Sequence, residues 1–354
     1  MSELQIGETL IGLAGQYSPS GQEGAAVRWL VERMRSLGYE GAFIDEVGNA
    51  VGTIGKGPHQ IMLLGHIDTV SGWIPPRVED GVVYGRGVVD AKGALACFTD
   101  AAVRCGAAEG WQLVVIGAVD EERDSRGAWF TAEQYRPEYA VIGEPNRWNR
   151  IALGYKGCSR VRITLRRGQS HSAGGVESAC EAAVEVWQAI KRFAEEYNTG
   201  KPRVFDQVLP SLQGLDSGAG DFDQWAALVV SARLPPAVSP QDWFVKLEEL
   251  CGDGRVQQVG KPIPAWVCDK NTRVVRALLA GIRAEGGEPA FVYKTGTADL
   301  NIVAPQWGCP ALVYGPGDSA LDHTPHEKLE LAEYQKSVRV LESALRRLME
   351  KPEN

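Results

Sequence analysis

Four short apolar runs do most to constrain what this chain can fold into: IMLL at 61–64, LVVIG at 113–117, YAVI at 139–142 and ALVY at 311–314. Uninterrupted apolar stretches of this length, bounded by glycine and polar residues, read as strands buried on both faces. A helical stretch from Ala91 to Gly106 lies between the first two, so strand and helix alternate as in an α/β sheet. In such sheets ligands collect in the loops past the carboxyl ends of the strands, and the chemistry is to be sought there.

Upstream, a Ser20 to Glu23 capping-box pattern precedes Ala25, Val27, Leu30, Val31 and Met34, predicting an amphipathic helix that ends in a turn at Gly38. Past Leu153 the pattern changes. Arg160 to Arg166 alternates charged and apolar residues, the period of a half-exposed strand. A helix over 176–197, strands near 205–212 and 227–234, a helix after Pro240 to Leu250 and a strand near 256–259 complete a β-α-β-β-α-β order, that of a ferredoxin-like domain. The helix-strand pattern then resumes, ending in a helix over 330–349. At 354 residues the chain exceeds what one core usually supports. The expected fold is therefore α/β: a mixed, mostly parallel sheet with helices on both faces, from residues 1–154 and 270–354, with a ferredoxin-like α+β domain inserted at 155–269.

Composition excludes several classes. No apolar run approaches the roughly 18 residues of a membrane span. Glu3 and Glu8 stand where a secretory signal would carry positive charge, so the expected location is the cytoplasm. Seven cysteines without C-x-x-C spacing argue against a disulfide framework and against a thiolate zinc site. A formal charge of -8 gives no reason to expect nucleic-acid binding. Against that background, residues 146–176 carry seven cations (Arg147, Arg150, Lys156, Arg160, Arg162, Arg166, Arg167) and no acid, which points to a docking surface for something anionic.

The ends of the apolar runs carry the chemistry. His66 and Asp68 close the first in GHID, and residues two apart at a strand end project to one side. Asp90 follows in GRGVVDAKG, Glu121 and Glu122 in VDEE, Glu144 in GEP and His323 in HTPHE. Singly each signal is weak. A carboxylate after a strand caps a helix more often than it binds metal, and a lone histidine such as His59 in GPHQ is more often a hydrogen-bonded surface residue. The force lies in convergence on one sheet edge. Carboxylates packed that closely cannot all stay ionised without cations. Two histidines with several carboxylates suit a pair of zinc-type ions sharing a bridging carboxylate.

Those five motifs in that order resemble the zinc aminoacylase and carboxypeptidase family that includes acetylornithine deacetylase and succinyl-diaminopimelate desuccinylase. The likeness covers essentially the whole chain and implies a zinc-peptidase-like fold whose inserted domain is a lid and a dimerisation surface. It also implies two divalent metal ions per chain, Zn2+ or Co2+. His66, Asp90 and Glu144 would hold one and Asp90, Glu122 and His323 the other, with Asp68 orienting His66 and Glu121 as general base. His171, in GQSHSAG, resembles the family histidine that supplies an oxyanion donor, and Arg233 the arginine that holds a substrate carboxylate.

The segment YKTGTADLN, with Lys294, Thr295, Gly296, Thr297 and Asp299 as candidate substrate-binding residues, resembles the lysine-releasing branch of the family. In that branch lysine, or ornithine, is released from the terminal glutamate of a small acidic amino-group carrier protein (LysW-like) in lysine biosynthesis via 2-aminoadipate. His326 stands where the family often has Asn, and no acid stands near Ser231; both departures touch the substrate assignment rather than the ligands. Deacetylation of N-acetyl-ornithine or N-acetyl-lysine keeps the mechanism with a free substrate. A dinucleotide-binding oxidoreductase fails on spacing, because the third glycine position after Gly85 and Gly87 is Asp90. A non-catalytic relative would have lost the base or a ligand first, and all are present.

Overall fold

A computed structural model describes residues 3–350. They form two compact units, the first from residues up to 154, 268–292 and 298 onward, the second from Tyr155–Val267 with Tyr293–Thr297.

The first unit opens with helices α1 (Glu3–Ala14) and α2 (Gly24–Leu37). Ala26, Val27, Leu30, Val31 and Met34 line the buried stripe of α2, and Gly38, at φ 91, closes it in the left-handed conformation that favours glycine. The expected capping box does not form. Glu23 is the N-cap residue without a side-chain cap bond, and the Ser20 hydroxyl donates instead to Asp68 Oδ2 at 2.6 Å. Strands β1 (Gly41–Ile44), β2 (Ala50–Ile54) and β3 (His59–His66) follow, then a small hairpin of β4 (Arg77–Glu79) and β5 (Val82–Tyr84), helix α3 (Lys92–Cys105), β6 (Trp111–Ala118), α4 (Arg126–Gln134), β7 (Tyr139–Gly143) and β8 (Arg150–Tyr155).

The second unit runs β9 (Gly157–Gly168), α5 (Ala179–Asn198), β10 (Leu209–Ala219), β11 (Asp223–Leu234), α6 (Pro240–Cys251), β12 (Arg255–Gln258) and β13 (Trp266–Val267). Its sheet has the order β10-β11-β9-β12 with antiparallel neighbours throughout, the ferredoxin-like arrangement. Val161, Ile163, Leu165, Leu228 and Val230 of the sheet share one core with Trp243 and Leu247 of α6 and Val186 and Ile190 of α5. Ser178 with Glu181, and Ser239 with Asp242, form the capping boxes that start the two helices. The segment 293–297 joins this unit because Thr297 Oγ1 donates to Lys156 O at 2.9 Å and accepts from Arg233 at 2.7 Å.

The chain then returns through α7 (Arg273–Ala284), β14 (Ala290–Lys294), α8 (Leu300–Trp307), β15 (Ala311–Tyr314), β16 (Lys328–Glu330) and α9 (Leu331–Met349). In the large sheet β6, β3, β7 and β15 are parallel neighbours in that order, and β2 and β8 flank them antiparallel. The core residues of these four strands are buried, as a parallel sheet covered by helices requires. Gly65 pairs with Gly117 and Gly143, and Gly143 with Tyr314, so the carboxyl ends of all four strands lie level. Every loop past that edge then opens over the same place.

Candidate metal centre

The level strand ends put His66, Asp68, Asp90, Glu121, Glu122, Glu144 and His323 in the first unit. Asp90 sits at the middle: its Oδ1 lies 3.1 Å from His66 Nε2 and its Oδ2 3.0 Å from His323 Nε2. The same His323 nitrogen is 3.0 Å from Glu122 Oε2. One carboxylate thus faces two imidazoles, one with each oxygen. Ligand atoms of His66, Asp90 and Glu122 all lie within 4.8 Å of one another.

Asp68 is fully engaged in holding this edge. Its Oδ1 accepts the Glu121 amide at 3.1 Å, and its Oδ2 accepts the Glu122 amide at 3.1 Å and the Ser20 hydroxyl. Its carbonyl oxygen is 3.0 Å from His66 Nδ1, a contact that sends the imidazole Nε2 toward Asp90. The Glu121 and Glu122 amides share one acceptor side chain. The backbone here is held in uncommon conformations. Asp120, Ser125 and His323 have φ of 71°, 51° and 61°, a region that non-glycine residues seldom occupy and that concentrates at active sites.

Burial and like charge dominate the electrostatics. Burial, with Glu144, Asp299 and Glu122 adding to it against the opposing pull of His66, pushes the Glu121 carboxyl well above its ordinary value. Burial does the same to Glu144, with Asp90 and Asp322 as the nearby charges that add to it. Burial alone would lower His66, but its bonds to Asp68 and Asp90 and the charges of Glu121 and Glu144 raise it well above the usual imidazole range. Asp90 is held below the usual range despite burial, by His323 and His66. Bonds to Asp90 and Glu122 push His323 up to about 10. The centre therefore holds more carboxylate than its two imidazoles balance, and imidazole nitrogen with carboxylate oxygen is the donor set of zinc-type ions. The residues present fit a divalent metal group.

Asp299, one of the expected substrate residues, is buried at the start of α8 and bonds the Ser125 hydroxyl; burial pushes its carboxyl up to about 7. His171, Arg233, Lys294, Thr295, Gly296 and Thr297 belong to the second unit. There the exposed His171 accepts the Ala173 amide at 3.2 Å, and Arg233 donates to Thr297. Two residues of the centre's support went unread in the sequence. Ser20 reads locally as part of a helix cap, and Glu327, inside the motif HTPHE, accepts through Oε2 the amides of Gly87, Val89 and Asp90 at 2.9, 3.2 and 3.3 Å. Nothing local marks the bonds that either one makes, which span 48 and 237 residues of sequence.

Residues 62–347 match the model of Peptidase family M20/M25/M40. The chain belongs to this family. It is a hydrolase, and the family implies divalent metal ions. A [LysW]-lysine hydrolase from Deinococcus radiodurans is 42% identical over 347 residues, covering 94% of each chain. A [LysW]-lysine/[LysW]-ornithine hydrolase from Saccharolobus solfataricus is 27% identical, covering 97% of this chain and 96% of that one. In structure the chain is similar to an M20 family metallo-carboxypeptidase from Sulfolobus solfataricus, with a TM-score of 0.77 at 18% identity, covering 98% of this chain and 99% of that one. That last likeness bears on the fold alone.

Proposed function

We propose that this enzyme releases L-lysine, and also L-ornithine, by hydrolysing the amide that joins the amino acid's α-nitrogen to the terminal glutamate of a small acidic carrier protein. The 42% identity to a [LysW]-lysine hydrolase over 94% of the chain supports the substrate class. The observation that carries the chemistry is Asp90, with one oxygen toward His66 and the other toward His323.

His66, Asp90 and Glu144 would hold one divalent ion and Asp90, Glu122 and His323 a second, Zn2+ before Co2+ on the nitrogen and oxygen donor set. When bound, such ions act as Lewis acids that polarise the scissile carbonyl and acidify water. Glu121, whose carboxyl burial pushes up, takes the proton from the attacking water and returns it to the leaving α-nitrogen. Asp68 keeps the His66 ring and the Glu121 and Glu122 backbone in place. His171 as oxyanion donor, Arg233 as partner of a substrate carboxylate, and Lys294 to Thr297 with Asp299 as pocket residues complete the proposal. So do a homodimer formed through the second unit and a cytoplasmic location. No helix among the described residues is long and apolar enough to cross a membrane.

Elemental analysis should find about two equivalents of metal per chain. Glu121→Ala should abolish turnover and keep the metal; loss of metal along with activity would reassign Glu121 as a ligand. Parallel assays on the lysine-carrier adduct, N-acetyl-lysine and N-acetyl-ornithine decide the substrate, and a preference for either acetylated amino acid overturns the carrier reading.

A further inference from the structure

The second unit's sheet packs its helices on one face only. On β9 the residues Val161, Ile163 and Leu165 enter that core, so Arg160, Arg162, Thr164 and Arg166 point to the other face. On β12, Arg255 pairs with Thr164 and Gln257 with Arg162, which places both on this face too. On β11, Trp225 stands opposite Arg166. Beyond it on β10, Gly218 leaves room for the indole, since a Cβ there would meet Trp225 at 2.8 Å. Arg162, Thr164, Trp225, Arg255 and Gln257 help to line a broad depression of about 700 Å³.

The charge of this face is unequally balanced within the chain. Arg166 pairs with Asp223 at 2.6 Å, and Arg167 with Glu177 and Asp253, each at 2.9 Å. Elsewhere in the cationic stretch Arg147 is bound to Asp318, and Lys156 is buried with its ammonium on the carbonyls of Val204 and Phe205. Arg160, Arg162 and Arg255 have no carboxylate in ion-pair range among the described residues, and Arg160 and Arg255 are exposed. On a chain of net charge -8, Arg162 lies about 7 Å along β9 from Arg160 and a similar diagonal distance from Arg255, and the depression that Arg162 and Arg255 line reaches Trp225, so positive charge collects here without an ion-pair partner among the described residues.

We infer that this helix-free face, centred on Arg160, Arg162 and Arg255, is the docking surface for the acidic carrier protein that presents the substrate. The inference rests on the carrier reading above and adds to it a location and a set of contacts. The face is too open for a small anion, which needs a closed site. A net charge of -8 repels any polyanion at long range, so the choice of an acidic protein over a nucleic acid rests on the carrier reading and the nucleic acid is an outcome of the test. Trp225 supplies the flat, partly apolar contact that protein interfaces favour. Charges at an interface rim act on encounter and on salt dependence, so docking here shows in KM and leaves the chemical step unchanged.

The test uses the intact chain and two substrates that share one scissile bond: lysine joined to the terminal glutamate of a small acidic carrier protein, and the dipeptide Nα-(γ-glutamyl)-lysine. In the triple variant Arg160→Ser, Arg162→Ser, Arg255→Ser, KM for the carrier adduct rises about ten-fold or more, with kcat within about two-fold. Its kinetics on the dipeptide match those of the wild type, which also shows that the variant is folded. The rise of wild-type KM with salt is blunted in the variant. An unchanged KM for the adduct, in an enzyme that still prefers the adduct to the dipeptide, overturns the docking surface alone. A wild type that cleaves the adduct no better than the dipeptide overturns the carrier reading and the surface with it. Variant-sensitive binding to a single-stranded RNA probe, with KM for the adduct unmoved, reassigns the face to a polyanion.

Discussion

Glu327 ties the loop that carries Asp90 to the loop that carries His323, and removing it should be costly in a measurable way. The residue is 2% exposed. Oε1 accepts from Arg86 Nη1 at 2.5 Å, while Oε2 takes three backbone amides between Gly87 and Asp90. Arg86 is itself buried; its other bonds are to the carbonyls of Gly72 and Thr324, neither of which balances its charge. Breaking a buried ion pair from one side costs roughly 3–5 kcal/mol, because the remaining charge stays desolvated. Amides left without an acceptor add to this unless water reaches them. Glu327→Ala should therefore cost about 4 kcal/mol. For a unit of this size, at roughly 2–4 °C per kcal/mol, the melting transition should fall by about 8–16 °C. Scanning calorimetry of the intact chain measures it. Adding Arg86→Met to Glu327→Ala should restore part of the loss, since the lone charge is gone. If Glu327→Ala melts within about 3 °C of the wild type, the amides and the guanidinium are hydrated and the clamp does not bear on stability.

Asp100, in α3, accepts the hydroxyls of Thr9 at 2.6 Å and Tyr334 at 2.9 Å, yet burial pushes its carboxyl up to about 6. The folded state thus holds this proton more tightly than the unfolded chain, whose carboxyl titrates near about 3.9. The stability it contributes is complete below about pH 4 and is lost as pH rises through about 6, a change of roughly 3 kcal/mol. Asp100→Asn has no such dependence, so melting curves of variant and wild type should draw apart in the variant's favour between about pH 4 and pH 7; a constant gap refutes the assignment. Lys156, fully buried, donates to the carbonyls of Val204, Phe205 and Gln207. Lys156→Met removes the ammonium from the Phe205 and Gln207 carbonyls and leaves Val204 with the Gln207 amide alone, and should destabilise the second unit by roughly 2–3 kcal/mol, with faster amide exchange over 204–208; exchange at wild-type rates there would count against it.

Much of the fold was legible because two kinds of pattern are local. The buried runs at 61–64, 113–117, 139–142 and 311–314 all became strands of the large sheet, and the alternation from Arg160 to Arg166 lies in β9. Elements without such a pattern were missed: β1 is four half-exposed residues, and β14 is largely exposed, so neither shows burial periodicity. The residues gathered at the centre were readable for the same reason as the strands, since each stands within a few residues of a strand end that could be found. Their supports were not. Ser20 reaches Asp68 across 48 residues of sequence and Glu327 reaches the Asp90 amide across 237. A serine followed three residues later by glutamate meets every local requirement of a helix cap, and only the folded chain reveals a better acceptor for its hydroxyl. Local patterns therefore locate the ligand set of a site like this one and even the Asp68 carbonyl that aims His66, while the bonds that hold the Asp68 carboxylate and the Asp90 loop depend on sequence separations that no local window spans. The same reasoning explains the cationic stretch. Read as a run, it credits all seven residues alike, yet folding spends Arg147, Arg166 and Arg167 on nearby acids and buries Lys156, and it brings Arg255 from another strand to stand with Arg160 and Arg162.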